Sequence, residues 1–234
     1  MGIFGILRSM LKDYRRSGVM KVIGLQLMLP AAILALVFSL AEGASGRDRN
    51  RGKVVRAHSA SKIEYCMDCH GPGGQGYFGY LVMPRLAGQT TEYLENQLRA
   101  FVEHTRDRGL FINMARVHGL SPELRASLAS QFNSFNPRPV GRGAKGAAET
   151  GRKIFEEGIP EANVPACAAC HGPEGQGEGQ NARLAGQLFP YTVNTLKNWS
   201  RERTSTSASI MAPIARNLRQ SDILAVAAYM SNLR

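Results

Sequence analysis

The sequence predicts an all-α protein of two repeated halves behind an N-terminal hydrophobic helix. Three observations carry this. Residues 22–41 are nearly all apolar. Beyond them, segments recur at a spacing near 100 residues. Within each copy the apolar residues fall at helical intervals, and no stretch alternates long enough to form a strand.

The N-terminal helix comes first in the chain. Arg8, Lys12, Arg15, Arg16 and Lys21 precede the apolar run against a single acid, Asp13. Val22 to Ala41 then contains no charge, and its polar or helix-weak residues are Gln26, Ser39, Gly24 and Pro30. As a helix this run would span about 30 Å, one bilayer core. It reads either as an uncleaved anchor or as an export signal cut after the small residues around Ser39-Leu40-Ala41. Basic residues on both sides, with Arg47, Arg49, Arg51, Lys53 and Arg56 following, leave its orientation open by charge.

The 234 residues leave room for two domains of about 100 residues each. Domains that small bury too little apolar surface to be comfortably stable alone, and the aromatic content is only 7%. The net charge is +11, and residues 1–60 supply most of it, with 10 Lys+Arg against 3 Asp+Glu. A basic N-terminus suits a membrane or export signal better than a nucleic-acid site, so no nucleic-acid partner is expected.

The four cysteines form two C-x-x-C-H motifs, Cys66-Met67-Asp68-Cys69-His70 and Cys167-Ala168-Ala169-Cys170-His171. This spacing attaches haem c. Residues three apart lie on one face of a helical turn, so two thiols can bond the two vinyl groups of one porphyrin. The next residue, histidine, can then bind the iron. A zinc site would need the four cysteines, or two with histidines, in one cluster, but the pairs are 101 residues apart. A redox dithiol would not carry a histidine at the same offset and a glycine-rich loop behind it. Two covalently bound haem c groups are therefore expected, and their attachment places the chain outside the cytoplasm.

The repeat justifies the remaining elements. Gly71-Pro72-Gly73-Gly74-Gln75-Gly76 recurs as Gly172-Pro173-Glu174-Gly175-Gln176-Gly177, and Arg85-Leu86-Ala87-Gly88-Gln89 as Arg183-Leu184-Ala185-Gly186-Gln187. Tyr93, Leu98 and Phe101 match Tyr191, Leu196 and Trp199. Ser121-Pro122-Glu123 starts a helix with an N-cap and a first-turn proline, and Leu124, Leu128 and Phe132 form its buried stripe. In the second half Ser221 is the expected start, with Ile223, Leu224, Val226, Ala227 and Met230 behind it. A helix beginning near Thr150 carries Ile154 and Phe155, matched by Gly52 to about His58. The proline- and glycine-rich stretch from Asn136 to Gly146 reads as a linker.

The sixth ligand decides the chemistry, since methionine favours electron carriage and an open iron permits small-molecule reactions. Met114 and Met211 each lie just before the closing helix of their half and are the candidates, with His70 and His171 as the other iron ligands. Met67, Met83 and Met230 read as core filler. His118, four residues after Met114, is the competing ligand. Arg85 and Arg183 recur at one place in the repeat and either pair with haem propionates or are solvated. Tyr77, Phe78 and Tyr80 are expected to pack on the first haem.

With these motifs in place, the chain from about Gly52 onward resembles cytochrome c4. The most specific pieces are the Leu-Ala-Gly-Gln segments, Gly151-Arg152-Lys153-Ile154-Phe155 leading to Pro165-Ala166, and Met211-Ala212-Pro213-Ile214-Ala215 with Leu218. The resemblance implies two tandem class I cytochrome c domains with pseudo-twofold symmetry. It divides the chain into a basic segment and anchor or signal at 1–46, a first domain at 47–136, a linker at 137–148 and a second domain at 149–234. It also implies electron transfer, not enzyme catalysis, between a quinol–cytochrome c reductase and a terminal oxidase. That work would take place on the periplasmic side of the bacterial cytoplasmic membrane, anchored or soluble after cleavage. The alternatives are a cytochrome subunit of a flavocytochrome c sulfide dehydrogenase-like complex, or a catalytic dihaem oxidoreductase. One departure concerns the proline whose carbonyl steadies the haem histidine in the family. Pro84 fills that place in the first half, but Ala182 stands there in the second.

Overall fold

The computed structural model describes residues 51–55, 60, 62–106, 119–141, 148–199 and 206–234. The chain divides into two units at Val54/Val55, and the contacts below lie within the second. The expected N-terminal hydrophobic helix, Met114 and His118 lie outside the described residues. Among the described residues no helix is long and apolar enough to cross a membrane.

In the first half, residues 62–70 are helical (α1) and carry the first motif. A minimal antiparallel hairpin follows, β1 (Tyr77–Phe78) paired with β2 (Val82–Met83). This is a small departure from an all-helical chain. Helix α2 (Thr91–Val102) is capped by Thr90, whose side chain accepts from the Tyr93 N–H. Helix α3 (Pro122–Ser134) starts as its sequence requires, with Ser121 Oγ accepting from the Leu124 N–H and Pro122 in the first turn. Its stripe Leu124, Leu128 and Phe132 is buried against Ile63 and Leu94, with Cys66 and Met67 at the edge of this cluster.

The second half begins with α4 (Ala148–Glu157), then a short 3-10 turn at Pro160–Ala162 and α5 (Ala168–His171) bearing the second motif. Helices α6 (Phe189–Lys197), α7 (Thr206–Asn217) and α8 (Gln220–Asn232) complete it. Ile154 and Phe155 of α4 are buried with Ala225, Val226 and Met230 of α8. Gly151 allows this close approach, because a Cβ there would run into the Ala225 carbonyl. Phe155 and Tyr229 seal the contact with ring centroids 5.4 Å apart.

One expectation needs correction. Helix α8 does not start at Ser221. Arg219 is its N-cap, and the Asp222 carboxylate reaches back to the Arg219 N–H at 3.1 Å and to its guanidinium at 2.9 Å. The acidic side chain supplies the acceptor for an orphan N–H that serine was expected to provide. Leu224 is exposed, because the buried face of α8 runs through Ile223, Val226, Ala227 and Met230. Within the stretch read as a linker, the Pro137 carbonyl accepts from Arg85 Nη1 at 3.0 Å.

Candidate haem-binding site

Each motif sits on a helical turn that presents two thiols and an imidazole. The glycine-rich loop behind it closes the same way in both halves. The Gly76 N–H donates to the His70 carbonyl, and the Gly177 N–H to the His171 carbonyl, both at 2.8 Å. Gly74 and Gly175 carry the same positive φ, +66 and +65, a region that glycine enters without a Cβ penalty. Their carbonyls accept from the Leu86 and Ala87 N–H groups, and from those of Leu184 and Ala185. This brings the Arg-Leu-Ala-Gly-Gln segment over each histidine.

His70 is buried, and its Nδ1 lies 2.8 Å from the Pro84 carbonyl. His171 Nδ1 lies 2.7 Å from the Ala182 carbonyl. The proline is dispensable, as a backbone carbonyl accepts whichever side chain it bears. A carbonyl only accepts, so Nδ1 must carry the hydrogen in both rings and Nε2 the lone pair. His70 Nε2 is buried without a hydrogen-bond partner. Burial pushes both imidazoles below the usual histidine range. Each ring is thus oriented and neutral, the form that binds a metal.

Cys66 and Cys167 are half-buried, while Cys69 and Cys170 are exposed. Burial pushes the Cys66 and Cys167 thiols up to about 11. That is the opposite of a reactive dithiol or a thiolate zinc ligand. Among the described residues no three His, Cys, Asp or Glu side chains converge on a common metal position. The donor set fits a porphyrin held by two thioethers, with one imidazole facing its iron.

Arg85 is only 3% exposed, which removes the reading of it as a solvated arginine. Its Nε donates to the Ala87 carbonyl at 2.9 Å, and Arg183 Nε donates to Ala185 at 3.2 Å. Burial and the neighbouring Arg183 push the Arg85 guanidinium down to about 10. Among the described residues no carboxylate forms an ion pair with either. Met211 is half-buried on α7. Tyr77, Phe78 and Tyr80 are exposed on the hairpin, Tyr80 fully.

Sequence reasoning passed over the residues that join the halves. Gln187 Oε1 accepts from the Arg85 N–H at 2.8 Å, and its Nε2 donates to the Arg85 carbonyl at 3.1 Å. Gln89 makes the reciprocal pair on Arg183, at 2.8 and 2.7 Å. Arg106 Nη2 donates to the Tyr191 hydroxyl at 2.9 Å. The available signal was the recurrence of one glutamine at the end of each Leu-Ala-Gly segment.

Residues 148–234 match the cytochrome c family model. The chain is 32% identical over 183 residues to cytochrome c4 of Thiocapsa roseopersicina, covering 76% of this chain and 92% of that one. It is 33% identical over 172 residues to a thiosulfate dehydrogenase electron acceptor of Thiomonas intermedia, covering 71% and 77%. The solved structure of Acidithiobacillus ferrooxidans cytochrome c4 superimposes with a TM-score of 0.63 at 38% identity, over 72% of this chain and 98% of that one. The two motifs therefore hold two covalently bound haem c groups, and the chain carries electrons. It belongs to the cytochrome c4 family.

Proposed function

We propose that this dihaem carrier works on the periplasmic side of the cytoplasmic membrane, taking electrons from a quinol–cytochrome c reductase and passing them to a terminal oxidase. The single observation that carries the carrier chemistry is the pair of matched imidazoles, each with Nδ1 held by a carbonyl. The haem irons supply one-electron oxidation and reduction. His70 and His171 would hold the irons with Met114 and Met211 as the remaining ligands, which would leave no open position for a substrate. The chain therefore acts without transforming a substrate.

Arg85 lies close enough to Arg183 to be repelled by it, and among the described residues neither forms an ion pair with a carboxylate, so each meets a propionate. Arg85 is buried and Arg183 half-buried; holding two guanidinium groups away from water is costly, and two anions at the interface offset that cost. Residues 47–136 and 149–234 form the two cytochrome domains, joined by 137–148. Residues 1–46 hold the chain at the membrane or export it.

A second reading concerns the donor. A relative at 33% identity is named as the electron acceptor of thiosulfate dehydrogenase. Such an enzyme could feed the same two haems. Mixing the oxidised protein with each purified donor in a stopped-flow spectrometer separates the two readings. Fast reduction by the reductase alone supports the first, and fast reduction by thiosulfate dehydrogenase with thiosulfate supports the second. For the ligands, Met114→Ala and Met211→Ala are each expected to remove half of the methionine–iron charge-transfer absorption. Retention of the full band in either variant would reject that methionine.

A further inference from the structure

The peptide unit joining Pro84 to Arg85 is hydrogen-bonded at both ends. Its carbonyl accepts from His70 Nδ1 at 2.8 Å. Its N–H donates to Oε1 of Gln187, from the other half, also at 2.8 Å. The unit joining Ala182 to Arg183 repeats this, with its carbonyl 2.7 Å from His171 Nδ1 and its N–H 2.8 Å from Gln89 Oε1. Each glutamine is one peptide group away from the opposite half's histidine.

We propose that Gln187 tunes the haem held by His70, and Gln89 the haem held by His171, each acting across the interface through that single peptide group. The proposal rests on the reading of both histidines as iron ligands. A peptide whose N–H is donating carries more negative charge on its oxygen, because linked hydrogen bonds polarise one another. A stronger acceptor at Nδ1–H makes the imidazole a more basic ligand at Nε2. A more basic ligand favours the ferric state and lowers the reduction potential. Both glutamines are therefore positioning residues that hold the opposite haem's potential down.

The surroundings suit such a relay. Arg85, Gln89, Gln187 and His70 are buried, and Arg183 and His171 are half-buried, so water screens these bonds only in part. Each amide grips the arginine backbone at two points, which fixes its oxygen on the N–H. The glycine loop presses from behind, since a Cβ on Gly177 would lie 2.5 Å from the Arg183 nitrogen and one on Gly76 3.0 Å from that of Arg85. The two relays are unequal. Gln187 Oε1 also accepts from the Leu188 N–H at 2.9 Å, whereas Gln89 Oε1 takes the Arg183 N–H alone among the described residues. The pull on Ala182–Arg183 is therefore the stronger.

The test uses the full-length protein with both haems attached, as wild type, Gln187→Leu, Gln89→Leu and Gln187→Glu. Haem-methyl NMR signals assigned to each half are followed through a redox titration, giving two separate potentials. Gln187→Leu is expected to shift the first-half haem toward the reduced form about threefold at fixed potential, about 28 mV at 59 mV per tenfold. The second-half haem should hold its value. Gln89→Leu gives the mirror pattern with the larger shift. Shifts confined to the variant's own half, equal shifts of both haems, or no shift overturn the relay. If the leucine variants do not fold, Gln187→Glu keeps the volume and the acceptor oxygen. It must lower the first-half potential more than the second, and any other result also overturns the proposal. Hyperfine-shifted ring signals from His70 and His171 in the wild type test the ligand reading separately. Their presence without crossed shifts rejects the relay alone, and their absence rejects the ligand reading.

Discussion

Arg106 donates from Nη2 to the hydroxyl of Tyr191 at 2.9 Å, joining residues 85 positions apart from opposite halves of the molecule. Both side chains are buried. The same guanidinium bonds Gln97 Oε1 from Nη1 at 2.7 Å and lies 4.7 Å from the Phe101 ring centroid. The bond is a charged donor meeting a neutral acceptor between buried side chains. Its loss is therefore felt more than that of an exposed pair.

Tyr191→Phe keeps the ring packing and deletes the hydroxyl that accepts from Arg106. It is expected to lower the stability of the haem-loaded protein by about 1.5–3 kcal/mol, the range for hydrogen bonds to charged groups. Urea unfolding followed by circular dichroism measures this, and an unchanged midpoint would mean the bond contributes nothing.

Gly151→Ala tests the crossing of α4 and α8. The added Cβ meets the Ala225 backbone, which cannot swing aside as a side-chain tip could. Overpacking of this kind costs about 1–3 kcal/mol. The thermal transition should fall accordingly, with the second haem's spectrum more perturbed than the first.

Pro84→Ala tests which part of Pro84 matters. The carbonyl that receives His70 Nδ1 is retained, as Ala182 already demonstrates in the second half. The haem spectrum should be unchanged. Stability should fall by only about 0.4–1 kcal/mol, through the freer unfolded chain. A changed spectrum would mean that the ring, and not the carbonyl, orients the histidine.

Asp222 carries the acid sensitivity of α8. Hydrogen bonds from Arg219 hold its carboxyl below the usual carboxylate range. Its folded pKa thus lies below its unfolded value of about 3.9. The stabilisation is complete above that value and is lost as pH falls through the folded pKa. Asp222→Asn should cost about 1 kcal/mol at neutral pH, the usual value of a helix N-terminal cap. The gap between wild type and variant should close in acid, and a gap that persisted at pH 2 would contradict this account.

The two ends of this protein's organisation differ in what made them legible. Local spacing alone determined the haem attachment at Cys66, Cys69, Cys167 and Cys170, because three-residue separation on a helical turn needs no tertiary contact. The start of α3 at Ser121-Pro122 was equally local, being a matter of one side chain and the next few N–H groups. The duplication was legible because it is a property of the string itself.

Tertiary structure decided whatever depends on pairing residues far apart in the chain. The clamp of Gln187 on Arg85 joins positions separated by 102 residues, and that of Gln89 on Arg183 joins positions separated by 94. Nothing in either segment indicates that its partner is the backbone of the other copy. Arg85 looked the same in sequence whether solvated or buried; the docked second half and the Pro137 carbonyl decided that it is buried. The start of α8 moved from Ser221 to Gln220 because the folded Asp222 carboxylate reaches back to Arg219. Chemistry set by adjacent residues is written in the sequence, while the coupling between the halves exists only once distant backbone groups are brought within hydrogen-bond reach.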